Sequence, residues 1–328
     1  MGDEEDTPIT TVLITGATGF VGSWLIAECL GRGWTVHGTT HPDERPTPGG
    51  VPDGVAIHPV ELSDTDAVRA LVAEISPDQI YHLAAQASVQ KAWQDPMATL
   101  GNNIAAQLAI LTAARASRPD ARVLVISSSE VYGGADPARM PLNEDEPLGP
   151  LDPYAVSKVT QEMLGLQHYL AFGMRVVRVR PFNHMGPRQR PGFVAADFAR
   201  QVARVEAGQG EPIIRVGKLD AVRDLSDVRD IVRAYTLALT EGEPGAVYNV
   251  ASGRGVAMRE LLQTFVDAAR VPIEIVVDPA LLRPVDRPLI VGDAARLRAR
   301  TGWTPVIPFA QTVRDTLDYW RERVVRGE

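Results

Sequence analysis

The stretch Val12-Leu13-Ile14-Thr15-Gly16-Ala17-Thr18-Gly19-Phe20-Val21-Gly22 constrains this chain more than any other. Three apolar residues read as a short buried strand, and glycines spaced GxxGxxG carry the backbone through a tight turn into a helix beginning near Val21. Glycine permits a sharp turn and a close approach to a pyrophosphate, while the N–H groups of a helix start attract negative charge. Gly16, Thr18, Gly19, Phe20, Val21 and Gly22 are therefore candidate phosphate contacts. The spacing departs from the GxGxxG dinucleotide fingerprint, and an ordinary strand-to-helix turn also uses glycines. Placement directly after a strand, with Trp24-Leu25-Ile26-Ala27 continuing a helix, favours the phosphate cradle.

At 328 residues the chain is long enough to bury a substantial core, and its length suggests about two domains. A net charge of -8 argues against a nucleic-acid partner held by phosphate neutralisation, leaving room for a local basic pocket around one small anion. Cys29 is the only cysteine, so no intrachain disulfide forms, and its place in the first helix reads as a packed core thiol. A reducing compartment fits. The acidic opening Met1-Gly2-Asp3-Glu4-Glu5-Asp6 lacks the basic start and apolar core of a signal peptide, and no apolar run approaches membrane-spanning length. The expected location is the cytoplasm, with no membrane partner.

Thr35-Val36-His37-Gly38-Thr39 reads as a second strand, whose end contacts the adenosine ribose in dinucleotide folds; here that end is Thr40-His41. An acid there would favour NAD by bonding the ribose hydroxyls and repelling a 2′-phosphate. Its absence leaves NADP open, with Arg45 close enough in sequence to help. Residues 41–54, rich in Pro and Gly, read as a surface loop. Val55-Ala56-Ile57-His58-Pro59-Val60 is a third strand, Asp64 caps a helix through Val68, Leu71 and Val72, and Ile80-Tyr81-His82-Leu83 is a fourth strand. Such alternation argues for a parallel sheet wrapped by helices, with the ligand outside the carboxyl ends of the strands. Thr40, Glu61, Leu62, Leu83, Ala84 and Ala85 stand at those ends as cofactor candidates, followed by Gln86 and Ser88 as substrate candidates. The small residues there suit a close ribose and plain close packing equally. Asn103 falls in the next helix, where a buried amide needs bonds and can anchor an adjacent strand end.

Val123-Leu124-Val125-Ile126 reads as a buried strand running straight into Ser127-Ser128-Ser129-Glu130-Val131-Tyr132-Gly133, which delivers hydroxyls and a carboxylate to the cleft edge. Further on, Asp152-Pro153-Tyr154-Ala155-Val156-Ser157-Lys158 combines a helix cap, a proline suited to the first helical position, and a Tyr-Lys pair four apart. That spacing shares a helix face, so the Lys158 ammonium can lie near the Tyr154 phenol and favour its ionised form. Tyr154 is then able to exchange a proton with a substrate oxygen near neutral pH.

The glycine turn, the Ser-rich strand end and Tyr154-x-x-x-Lys158 together, in this order, resemble the short-chain dehydrogenase/reductase superfamily, and in particular its extended branch, which acts largely on nucleotide sugars. The resemblance runs from about residue 10 to residue 322. It implies an α/β fold, a doubly wound parallel (Rossmann) sheet with a smaller C-terminal substrate-binding lobe. Residues 1–181 plus 228–255 are the expected NAD(P)-binding domain, and 182–227 plus 256–328 the nucleotide-sugar lobe. By the same resemblance Gly16, Gly19 and Gly22 hold the pyrophosphate, Ser128 and Tyr154 contact the reacting oxygen, Lys158 binds the nicotinamide ribose with Tyr154 also beside the cofactor, and Glu130 is a further catalytic candidate. A dimer is implied as well, through the helix carrying Tyr154 and the one around Asn103 to Ala114.

The second half narrows the branch. Arg175-Val176-Val177-Arg178-Val179-Arg180 reads as a strand, and Phe182-Asn183-His184-Met185-Gly186-Pro187-Arg188-Gln189 resembles the FNHxGPRQ signature shared by GDP-mannose 4,6-dehydratases and GDP-4-keto-6-deoxymannose reductases. Val216 through Asp224 is similar to the group's segment around a diphosphate-binding arginine, here Arg223, and Arg283-Pro284-Val285-Asp286 resembles an RPSD segment of the reductases. Arginine suits such sites because its planar fork pairs two phosphate oxygens at once. Asn183, Arg188, Arg223, Arg283 and Asp286 are thus substrate candidates, with Ser128, Gln86 and Ser88. Ala195-Ala196-Asp197, where dehydratases carry basic residues, and Gly19-Phe20-Val21-Gly22, where they read GQDG, favour a reductase. Glu130 stands where dehydratases place the base that removes a sugar proton, and so keeps elimination open. The missing acid after the second strand leans the cofactor to NADPH, with NADH possible, and the resemblance implies a GDP-sugar substrate. A 4-epimerase is a weaker reading.

Leu225 through Leu239 reads as a helix opened by Asp227, Ala246-Val247-Tyr248-Asn249-Val250 as a strand, and Val256 onward as a helix burying Leu261, Leu262, Phe265 and Val266. Phe309, Val313, Leu317 and Trp320 recur at helical spacing and read as core. There is no internal repeat and no cluster of metal-ligating residues in the sequence.

Overall fold

The computed structural model describes residues 9–43, 51–281 and 288–327. In chain order it contains β1 (Thr11–Thr15), α1 (Phe20–Gly31), β2 (Thr35–Thr40), β3 (Ala56–Pro59), α2 (Thr65–Ile75), β4 (Gln79–His82), α3 (Val89–Gln94), α4 (Pro96–Ser117), β5 (Arg122–Ile126), α5 (Pro153–Phe172) and β6 (Arg175–Pro181). There follow β7 (Asn183–Met185), α6 (Val194–Glu206), β8 (Ile213–Val216), β9 (Val222–Asp227), α7 (Val228–Glu241), β10 (Val247–Val250), β11 (Gly255–Ala257), α8 (Met258–Asp267), β12 (Glu274–Val277), β13 (Leu289–Ile290), α9 (Ala295–Thr301) and α10 (Phe309–Val325). Two compact units emerge: the described residues of Met1–Ser127, Pro150–Val179 and Tyr235–Val247, and those of Ser128–Gly149, Arg180–Ala234 and Tyr248–Glu328.

The first unit is built on a seven-stranded sheet of order β10-β6-β5-β4-β1-β2-β3. The fold is the α/β parallel sheet expected from the alternation of strands and helices. Val12, Leu13 and Ile14 are fully buried because β1 lies inside the sheet, paired in parallel with β2 on one side and β4 on the other. Strand order reverses about β1: the chain moves outward through β2 and β3, then returns to β4 and continues to β5 and β6. Such a reversal opens a crevice at the carboxyl ends, beside the glycine turn.

Local signals behave as read. Asp64 Oδ1 accepts the N–H of Asp66 at 3.1 Å and of Ala67 at 3.0 Å, capping α2, which packs Val68 and Val72 against Leu13, Ile80 and Val123. Asp152 Oδ1 accepts the Ala155 N–H at 2.8 Å, Pro153 takes the first position of α5, and Gly173 ends it with φ 67°. Cys29 is fully buried, and burial drives its thiol up to about 12, so it stays an unreactive core thiol.

In the second unit β9 is paired with antiparallel β11 and with parallel β13 and β7, while β8 pairs in parallel with β12. Here one reading needs correcting. Leu225 to Asp227 are strand, not the first turn of a helix, because they pair in register with Asn183 to Met185. Asp227 nevertheless opens α7: its Oδ1 accepts the Arg229 N–H at 2.8 Å. Likewise Val256 lies in β11, and α8 starts at Met258. Leu261, Leu262 and Phe265 of α8 join Val313, Leu317 and Trp320 of α10 in one core. Among the described residues no helix is long and apolar enough to cross a membrane.

Candidate active site and cofactor cradle

The glycine turn is closed by Gly19 N–H donating to Gly16 O at 3.1 Å and Ala17 N–H donating to Thr39 O at 3.0 Å. Gly16 sits at φ 66°, a left-handed conformation that disfavours other residues. A Cβ on Gly22 would lie 2.3 Å from Gly16 O and 2.7 Å from Ala17 Cα, so only glycine lets the helix start so close to the turn. No side chain caps α1 at Gly19. A tight, glycine-floored turn opening onto a helix start without a side-chain cap fits the diphosphate of a dinucleotide. Thr18 is buried, and its hydroxyl bonds that of Thr40 at 2.9 Å, fastening the turn to the carboxyl end of β2.

At the end of β4, Leu83, Ala84 and Ala85 are half-buried beside this turn, and the Ala84 N–H donates to Thr15 Oγ1 at 3.2 Å. Thr15 Oγ1 also lies 2.9 Å from Nδ1 of His82, a residue the sequence reading passed over. Burial, with the nearby Lys158 charge, lowers His82 to about 3, so it stays neutral and structural. Gln86 and Ser88 are positioned by local bonds. Gln86 Nε2 donates to Ser88 O at 3.0 Å and Thr99 Oγ1 at 3.1 Å, while Ser88 Oγ accepts the Lys91 N–H at 3.3 Å and caps α3. Asn103 is the anchor its burial demands: Oδ1 accepts the Gln86 N–H at 2.8 Å, and Nδ2 donates to Gln86 O at 3.2 Å and Ser157 Oγ at 2.9 Å. It thereby links the segment after β4 to α5.

Tyr154 and Lys158 do share a face of α5, with Lys158 Nζ 5.8 Å from the Tyr154 ring centroid. Lys158 is buried, and its Nζ donates to Ile126 O at 3.0 Å. Burial lowers Lys158 to about 7, so near neutral pH the ammonium is present in only part of the population. A lysine at about 7 folded and 10.5 unfolded binds fewer protons folded than unfolded between those values. Its contribution to stability is therefore present above pH 10.5 and lost as pH falls toward about 7. Urea denaturation at successive pH values is expected to show this rise, by at most about 1.4 kcal/mol per pH unit. Lys158→Met should flatten it.

In the second unit Ser128 precedes a short 3-10 turn, Ser129–Tyr132, and its Oγ accepts the Glu130 N–H at 3.2 Å. Glu130 is half-buried in that turn. Tyr132 next to it is structural: its hydroxyl donates to Asn249 Oδ1 at 2.7 Å and accepts from Arg180 at 2.9 Å, and burial pushes it up to about 12. Arg223 and Asp224 alternate across β9. Asp224 is buried and accepts the N–H groups of Ser252, Gly253 and Gly292, fixing the strand, while Arg223 is half-buried with Nη1 donating to Val222 O at 2.9 Å. Asn183 is exposed on β7, in register with Leu225. Arg188 combines φ 75° with a half-buried guanidinium whose pKa burial lowers, and strain of this kind gathers at ligand sites. Arg283 and Asp286, with Arg45, lie outside the described residues.

A family model described as GDP-mannose 4,6 dehydratase matches residues 13–316, nearly the whole chain and every described motif above. The chain belongs to the GDP-mannose 4,6-dehydratase family. Within this family of extended short-chain dehydrogenases/reductases it is 39% identical, over 315 residues covering 95% of this chain and 98% of the relative, to a GDP-6-deoxy-D-mannose reductase of Pseudomonas aeruginosa. Among solved structures it is similar to RMD from Pseudomonas aeruginosa complexed with NADPH, with TM-score 0.83 and 37% identity over 96% of this chain and all of that one. It is also similar to a Thermus thermophilus UDP-glucose 4-epimerase in complex with NAD, with TM-score 0.85 and 32% identity over 95% of this chain and 99% of that one. The chain is thus a nucleotide-sugar enzyme of the extended branch with an NAD(P) cofactor.

Proposed function

We propose that this chain reduces the C4 ketone of GDP-4-keto-6-deoxy-D-mannose to GDP-D-rhamnose, with NADPH preferred over NADH. The observation that carries this reading is the 39% identity, spread over 95% of the chain, to a GDP-6-deoxy-D-mannose reductase. Gly16, Thr18, Gly19, Phe20, Val21 and Gly22 hold the cofactor diphosphate, with Thr40, Glu61, Leu62, Leu83, Ala84 and Ala85 along its length. Bound there, the nicotinamide supplies the hydride that C4 takes up. Tyr154 gives its phenolic proton to the forming C4 alkoxide, Ser128 donates a hydrogen bond to the same oxygen, and Lys158 binds the cofactor ribose and favours return of the phenol to its ionised form. Arg223 and Arg283 clamp the substrate diphosphate, with Arg188, Asn183, Asp286, Gln86 and Ser88 orienting the nucleotide sugar. The cofactor is assigned to residues 1–181 plus 228–255, and the sugar nucleotide to 182–227 plus 256–328.

The test offers the purified chain GDP-mannose with NADP and, separately, the 4-keto-6-deoxy intermediate with NADPH. Stoichiometric NADPH oxidation with the intermediate alone is the expected result, and conversion of GDP-mannose to the keto sugar overturns it. A dehydratase is the second reading, favoured by Glu130 in the turn after Ser128. Such an enzyme removes the C5 proton, and Glu130→Gln would abolish it. In the reductase Glu130→Gln is expected to slow turnover only modestly.

We further propose a homodimer working in the cytoplasm. Met97 and Leu108 on α4, with Val156, Met163 and Leu170 on α5, are exposed apolar side chains, and the seven-residue steps along α5 set the last three on one face. A second copy laying the same helices against them would bury that face in a four-helix contact. Light scattering at micromolar concentration is expected to give twice the chain mass.

A further inference from the structure

The turn that carries Ser128 is anchored from its far end. Within it, Val131 N–H donates to Ser128 O at 3.2 Å and Glu130 N–H to Ser128 Oγ at 3.2 Å, and Tyr132, which closes it, is fully buried. The Arg180 guanidinium lies 5.0 Å from the centroid of the Tyr132 ring, and the Phe182 ring stands 6.2 Å from it. The Tyr132 hydroxyl is held between Arg180 Nη1 at 2.9 Å and Asn249 Oδ1 at 2.7 Å. Arginine only donates and an amide oxygen only accepts, so this hydroxyl has one orientation. Asn249 is bonded on every side of its amide: Nδ2 donates to Leu142 O at 2.9 Å and Asp293 O at 3.2 Å, and its backbone N–H donates to Glu144 Oε1 at 2.7 Å. Two carbonyls at one end mark that end as the amide nitrogen and leave the oxygen for Tyr132. Leu142 is fixed in turn, its N–H donating to Val291 O at 2.9 Å and its carbonyl accepting the Asp293 N–H at 2.8 Å. One buried amide thus ties the turn after Ser128 to the loop that follows it and to the segment before α9. A buried network with its partners in place rigidifies whatever it joins.

We infer that Tyr132, tied to Asn249, is a positioning residue that sets where Ser128 stands in the reaction. Burial keeps the Tyr132 phenol protonated, up to about 12, so it moves no proton near neutral pH and acts only by holding the turn. The inference rests on the reductase reading above, in which Ser128 donates to the C4 oxygen. Placement of that donor matters because a shift of about 1 Å at a reacting group, caused from outside the chemistry, costs about a hundredfold in rate.

The test is a double-mutant cycle on the full chain, read as kcat with the keto sugar and NADPH. Tyr132→Phe keeps the ring against Arg180 and Phe182 and removes only the hydroxyl. It is expected to lower kcat by about 10- to 100-fold, with NADPH affinity unchanged. In a chain already carrying Ser128→Ala the same substitution should change kcat by less than about twofold, since a residue that acts through Ser128 has nothing left to place. Thermal melting checks that each variant is folded. If Tyr132→Phe does not fold, Asn249→Ala frees the hydroxyl from the other side and is expected to show the same dependence on Ser128. An unchanged kcat in Tyr132→Phe, an equal loss with and without Ser128, or failure of both variants to fold overturns the inference and leaves the reductase reading standing. Absence of turnover in the unaltered chain overturns the reading and the inference together.

Discussion

Tyr154→Phe is expected to lower kcat by about 10²–10⁴-fold, the range that general acid catalysis typically supplies, while leaving cofactor affinity nearly unchanged. The phenyl ring keeps the packing of a half-buried residue in the first turn of α5 and loses only the hydroxyl. The C4 alkoxide would then have to take its proton from water, without a positioned donor. A loss confined to kcat marks Tyr154 as acting in the transition state, whereas a rise in KM at constant kcat would mark it as a binding residue and overturn the assigned role. Steady-state rates with the keto sugar, beside NADPH titration by fluorescence, measure the two separately.

Gly22→Ala is expected to do comparable damage by a different route. The new Cβ would meet Gly16 O at 2.3 Å and Ala17 O at 2.7 Å. These are backbone atoms of the glycine turn itself, and neither can swing aside as a side-chain end would. The helix start must move off the turn, which costs about 1–3 kcal/mol of strain and opens the cradle. Urea denaturation should show the destabilisation, and NADPH titration a loss of affinity of at least about tenfold, since a 1.4 kcal/mol change in binding is one decade. Gly31→Ala is the control on the same helix: nothing lies within 4 Å of its Cβ, and there the substitution should be neutral or stabilising by up to about 1 kcal/mol.

Much of the site was legible because its causes are local. Asp64 and Asp152 cap the helices they were expected to cap, since a carboxylate reaches N–H groups only two or three residues ahead. The turn at Gly16 to Gly22 was readable because the positive φ of Gly16 and the crowding of Gly19 and Gly22 against Gly16 and Ala17 arise within seven residues, although Gly16 also faces the backbone of distant Ala84. Residues four apart on a helix share a face wherever the helix sits, so the placing of Tyr154 and Lys158 needed no tertiary information. Leu225 to Asp227 failed the same logic. Nothing local forbids a helix there, and strand was chosen by pairing with Asn183 to Met185, far away in sequence.

By itself, then, the sequence determined most of the alternating elements, the caps at Asp64 and Asp152, the glycine turn and the shared face of Tyr154 and Lys158, each through interactions spanning a few residues. The tertiary structure decided what depends on neighbours distant along the chain. Strand order put β1 inside the sheet and reversed the chain about it. Burial under the sheet lowered Lys158 to about 7, which no composition of α5 could reveal, because the desolvation comes from what packs around the ammonium. Parallel pairing of β2 with β3 brought Glu61 to within reach of His41. Local chemistry is written along the chain, while charge and contact at a site are set by whichever segments the fold brings beside it.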